Sequence, residues 1–107
     1  MVNVQIAEAY PIYVNHPSVD CYQSQADASA VVVAVMLRPV FGRSERMRVL
    51  SEVAQEVADA TPYGRTVPIY VVADVDVYQS ILHGVAVEPH TLAARSGCYV
   101  LRPAENA

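Results

Sequence analysis

The chain has no lysine and no tryptophan, one phenylalanine, two cysteines and four glycines. Without lysine, its positive charge rests on seven arginines, set against eleven acidic side chains for a net charge of −4. A chain of that sign offers no basic face to a phosphate backbone, which argues against nucleic acid as a partner. Two cysteines cannot build a disulfide scaffold, and Cys21 and Cys98 have no C-x-x-C spacing. They are expected as reduced, mostly buried thiols. No apolar run reaches the roughly 18–20 residues of a membrane span. The opening Met1-Val2-Asn3-Val4-Gln5 lacks the basic n-region and apolar core of a signal peptide, so a cytoplasmic chain is expected. The motifs G-x-G-x-x-G, G-x-x-x-x-G-K-[ST] and G-x-S-x-G do not occur, nor do low-complexity tracts or internal repeats.

What the chain has in plenty is apolar surface. Apolar residues make up 53% of its 107 residues, and twenty of them are valine, so strands should dominate the core. The length suits a single domain, 1–107, that needs neither metal nor disulfide to fold.

The strongest local signal is a strand, helix, strand succession. Residues 29–38 are apolar at nearly every position, which fits a strand covered on both faces. In residues 44–60, Met47, Leu50, Val53, Ala54, Val57 and Ala58 recur at helical spacing, with Ser44 as expected N-cap and Glu45 in the first turn. Residues 67–73 form a second strand that runs into Asp74-Val75-Asp76. One of these carboxylates should cap a short helix reaching Leu82 or His83, with Gly84 at C′.

Around this unit, residues 10–14 read as an edge strand, because Pro11 cannot donate to a ladder. Residues 15–18 read as a turn, and 19–25 as either a short helix capped by Ser18 or a returning strand. Residues 85–87 read as extended, 91–96 as a helical turn closed by Gly97, and 98–102 as a last strand. The expected fold is α/β, an α+β sandwich. It has a three- to five-stranded sheet, a β-α-β unit (strand 29–38, helix 44–60, strand 67–73) and one or two short helices.

Four groups of residues bear on function. Asp74 and Asp76, at the end of an apolar strand, have the chemistry to hold a hard cation, but helix capping explains them more simply. His16, His83 and His90 with Cys21 and Cys98 show no metal-ligand spacing, so no metal and no cofactor is expected. No motif supports a Cys–His nucleophile, so no catalytic residue is assigned. Arg38, Arg43, Arg46 and Arg48 crowd the start of the long helix, where Ser44 and free N–H groups favour a small anion near Arg43 and Arg46. The same helix ends with Glu52, Glu56 and Asp59, the reverse of what its dipole favours. Finally, Tyr10, Tyr13, Tyr22, Tyr63, Tyr70, Tyr78 and Tyr99 are many for so small a chain, and Tyr is enriched at interfaces.

Three features sit together in residues 28–87. They are the Ala/Val strand Ala30-Val31-Val32-Val33-Ala34-Val35, a helix ending near Glu56-Val57-Ala58, and Ile69-Tyr70-Val71-Val72-Ala73-Asp74-Val75-Asp76 leading to a short polar helix. In these features the segment resembles the globular domain of YhcN/YlaJ-type sporulation lipoproteins. The chain shows no lipobox Cys, and Arg and acid stand where that family has a Lys-rich helix. The resemblance implies a non-enzymatic role at the spore envelope and brings no catalytic residues.

The leading expectation is therefore a non-enzymatic structural or protein-interaction domain that self-associates or binds another protein. The alternative is a small-molecule-binding protein or a small dimeric enzyme of ferredoxin-like build. Its ligand site would lie near Asp74 and Asp76, with His83 or His90 as base and Arg43, Arg46 and Arg48 as anion ligands.

Overall fold

In the computed structural model of the chain, the described residues are 16–26, 29–37, 42–60, 66–92 and 97–103, and of Arg43 only the backbone is described. The expected strand at 10–14, the loop around Pro39 and the helix stop at 61–64 lie outside them.

The elements run β1 (Val19–Ala26), β2 (Val31–Leu37), α1 (Arg43–Ala60), β3 (Ile69–Val72), α2 (Val75–Leu82), α3 (Pro89–Leu92) and β4 (Cys98–Leu101). The strands form one mixed sheet in the order β1-β2-β3-β4. β1 and β4 pair antiparallel with their neighbours, and β2 and β3 are parallel. This is the small α/β fold expected, with the β-α-β unit in place. A ferredoxin-like sheet would split its parallel pair with another strand; here β2 and β3 are direct neighbours.

The apolar run of β2 serves two cores at once. Val31, Val33 and Val35 face α1, sharing a buried cluster with Val49, Leu50, Val53, Ala54, Val57, Ile69 and Val71. Val32 and Ala34 face the opposite side, with Tyr70, Val72, Val77, Ile81 and Leu92. Alternation along a strand covered by helices on both faces explains why no polar residue interrupts it. α1 lies nearest β3 and β4, while α2 lies over β1 and β2. Leu50 and Val53 are fully buried in the cluster that includes β2, although the helix axis runs closer to β3 and β4 than to β2.

Residues 19–25, ambiguous between helix and strand, form β1. They follow a turn in which the Ser18 N–H donates to His16 Nδ1 at 3.1 Å and the Val19 N–H to the His16 carbonyl at 3.1 Å, and the chain leaves that turn extended rather than helical. Antiparallel pairing with β2 then sets the register from Ala26 opposite Val31 outward, with a bulge between Val19 and Cys21. Ser44 is not the N-cap of α1. The first helical bond runs from the Arg46 N–H to the Gly42 carbonyl at 3.0 Å, so Gly42 caps the helix and Ser44 sits inside its first turn. Glycine tolerates that role well.

Candidate functional site

β3 ends at Val72, and after two intervening residues α2 begins at Val75. Asp74 stands between them in extended backbone (φ −142°, ψ 122°), and its Oδ1 accepts the Val77 N–H at 3.1 Å. Its carbonyl accepts the Tyr78 N–H at 3.0 Å. Asp74 is thus the cap expected from sequence. Asp76 lies exposed in the first turn, where its charge favours the helix dipole. At the other end His83 is the C-cap, and Gly84 (φ 76°) carries the chain into the left-handed region. The Gly84 N–H meets the Ile81 carbonyl at 3.0 Å and the Val85 N–H the Ser80 carbonyl at 2.8 Å, a Schellman closure.

The expected ligand residues do not converge. Asp74 and His83 occupy opposite ends of an eight-residue helix, about 12 Å long. The His83 Nδ1 donates to the Gln79 carbonyl at 2.8 Å. His90 is 78% exposed on α3, with Nδ1 3.6 Å from Glu88 Oε2. Arg48 turns along its own helix, donating to Glu45 Oε2 at 2.6 Å and Glu52 Oε2 at 2.7 Å. These pairs hold its guanidinium pKa above the usual value and absorb much of the basic charge at the helix start. Of the expected cationic set, Arg46 alone is seen to reach the carboxyl end of β3. Its Nη2 lies 3.5 Å from the Ala73 carbonyl and passes close over Gly97. Arg38 and the Arg43 side chain lie outside the described residues.

Sequence reasoning missed a histidine–carboxylate contact. The His16 Nε2 lies 2.6 Å from Glu52 Oε1, and its Nδ1 accepts from the Ser18 N–H. A backbone N–H can only donate, so Nδ1 carries no proton and Nε2–H is the donor to Glu52. Both ring nitrogens are occupied, which leaves His16 no nitrogen for general-base work. The Glu52 carboxyl is held below its usual pKa chiefly by the His16 bond; burial opposes the shift, and the bond to Arg48 and its charge add to the lowering. No signal in the sequence points to this pair, since a turn and mid-helix meet only through the fold.

The two thiols sit on opposite edges of the sheet, Cys21 on β1 and Cys98 on β4. Three strand spacings, about 14 Å, separate those edges, well beyond disulfide reach. Both are free, but Cys21 is exposed rather than buried. Burial was expected of it, but on β1, at the edge of the described sheet, it lies open to solvent. Cys21 hydrogen-bonds the Tyr78 side chain, which with burial raises the tyrosine pKa. Burial raises the Cys98 thiol. Among the described residues, no three of His, Cys, Asp and Glu gather as a metal site requires, and no helix is long and apolar enough to cross a membrane.

The outward side of α2 is the more informative surface. Val75 is 55% exposed, Leu82 49% and Val85 56%. Val75 and Leu82 are two turns apart on one face, and Tyr78 lies between them at the flank. No protein-family model matches the chain, and no curated protein or solved structure matches it.

Proposed function

We propose that this is a non-enzymatic protein-interaction domain whose partner is a second copy of itself. One observation carries the reading. α2 buries Val77 and Ile81 against the sheet and yet presents Val75, Leu82 and the following Val85 to solvent. Single exposed apolar residues are ordinary, but a helix apolar on two sides is a helix with two surfaces to bury. The polar chemistry supports the same reading. Asp74 is used as a cap, His16 has both nitrogens engaged, His83 stands at the far end of α2 and His90 is exposed on α3. A spore-envelope role, implied by the resemblance of residues 28–87, is compatible with a binding domain of this kind. Sedimentation or light-scattering mass over a concentration series tests the reading; a mass that climbs with concentration supports it.

A second reading keeps a small-ligand site at the carboxyl end of β3. The approach of Arg46 to the Ala73 carbonyl, one residue before the Asp74 cap, favours it. Calorimetric titration with inorganic phosphate would show saturable binding that Arg46→Ala removes.

A further inference from the structure

The turn over residues 16–19 is closed twice. Its backbone bond runs from the Val19 N–H to the His16 carbonyl at 3.1 Å. Its second bond is made by a side chain, the Ser18 N–H donating to His16 Nδ1 at 3.1 Å. Pro17 has no N–H, so Ser18 supplies the first donor inside the turn. The ring thus acts as Asn or Asp does in an Asx-turn, accepting from the backbone two residues on. An Asn does this at any pH. An imidazole does it only through an unprotonated nitrogen.

From these bonds we propose that the turn into β1 carries a proton-operated lock: His16 holds the Ser18 N–H while its ring is neutral and releases it when the ring takes up a second proton. The atoms leave one place for that proton. Nε2 already points its hydrogen at Glu52 Oε1, 2.6 Å away, so the second proton goes to Nδ1. A protonated Nδ1 is a donor, and it would face the Ser18 N–H, another donor. The proton and the turn bond exclude each other. The turn is therefore locked at higher pH and unlocked as pH falls.

The contact with α1 decides which side gives way. The His16 side chain is only 10% exposed, and protonation turns its bond to Glu52 into an ion pair, which is stronger than the neutral bond. The ring stays on α1 and the turn lets go. Around the ring, α1 supplies Glu52, with Arg48 on the other carboxylate oxygen at 2.7 Å and Glu45 beyond Arg48. β1 carries one charged residue, the exposed Asp20, and β2 carries none. The release stays local, because the bulge between Val19 and Cys21 separates the Val19–Leu37 pair from the rest of the β1–β2 ladder.

An NMR titration of the whole chain, from about pH 8 down to the onset of acid unfolding, tests the lock. Ring nitrogen resonances report where His16 carries its protons, and the Ser18 amide proton reports the turn. At the upper end Nε2 alone should be protonated. As pH falls, Nδ1 should gain its proton and the Ser18 amide should move upfield with the same midpoint, while the amides of Gln23 to Ala26 hold their positions. His16→Asn keeps an acceptor for Ser18 without a titrating ring, so its Ser18 amide should stay in place over the same range. Glu52→Gln removes the carboxylate that favours the charged ring and should carry the His16 and Ser18 midpoints to lower pH together; it decides the matter if the Asn variant fails to fold. A proton on Nδ1 at the upper end would overturn the lock. So would a ring that titrates without Ser18, a ring that stays neutral until the protein unfolds, or a Ser18 titration that persists in His16→Asn.

Discussion

The side-chain amide of Gln25 hydrogen-bonds both backbone groups of Val87, its Nε2 donating to the carbonyl at 2.9 Å and its Oε1 accepting the N–H at 3.2 Å. The glutamine is 4% exposed and faces the α2 side of the sheet from β1. It pairs with the passing chain as a neighbouring strand would. The segment after α2, which carries the exposed Val85, is thereby fastened across the sheet.

Removing that clasp leaves two backbone groups of Val87 without their partner. Gln25→Ala should destabilise the protein by about 1–3 kcal/mol. Gln25→Glu should be worse than Gln25→Leu, because it keeps a carboxylate facing the Val87 carbonyl. Urea denaturation of the three variants checks the order; equal midpoints would mean that water replaces the amide without loss.

Leu50 is fully buried at the centre of the α1 core. Leu50→Ala removes its contacts with the apolar cluster and leaves a cavity, at a cost of about 2–5 kcal/mol. Unchanged thermal and chemical melts would mean that the α1 stripe is not packed as described.

Glu52 should make the fold acid-sensitive. Its folded pKa lies below the ordinary carboxylate value, with the His16 bond the largest cause. A carboxyl depressed in the folded state stabilises that state above its unfolded pKa, about 4.3 for Glu. The contribution is lost as pH falls from there through the lower folded value. Stability of the wild type should therefore decline more steeply below about pH 4.3 than that of Glu52→Gln. Parallel profiles for the two proteins would remove the His16 contact from the account.

Asp74→Ala deletes the cap of α2 and should cost about 0.5–2 kcal/mol, with Asp74→Asn or Asp74→Ser recovering most of it. Rescue by these uncharged caps is the informative result, since a cation site would need the carboxylates. Saturable Mg²⁺ binding abolished by the double Asp74→Ala, Asp76→Ala variant would contradict the capping role.

The elements legible in the sequence were those whose cause is local. The β2 run, the α1 stripe, the strand into Asp74 and the glycine after His83 each carry their signal within a few residues, and each stands where expected. What was not legible depends on partners far along the chain. Gln25 closes a stretch ambiguous between helix and strand, and its function is defined by Val87, brought alongside by the fold. His16 finds Glu52 only once the turn before β1 is laid on α1. Residues 19–26 mix polar and apolar side chains, and only pairing with β2 decides them as strand. Arg48 was expected as part of an anion site; a helix lets it reach Glu45 and Glu52 at three and four residues' distance, and that pairing holds it. Reversing Arg48 to Glu would thus place like charges within α1 itself, so helix stability rather than assembly is what that variant should alter.

Mass against concentration is the most direct test of the central claim, that the outward stripe of α2 binds a second copy. Sedimentation equilibrium should give about 11.6 kDa at low concentration and a weight-average mass approaching twice that as concentration rises past the order of 100 µM. The rise should be little affected by salt, because the stripe is apolar. Leu82→Asp should hold the mass at the monomer value over the same range. A wild-type mass that stays monomeric across the whole series would contradict the account.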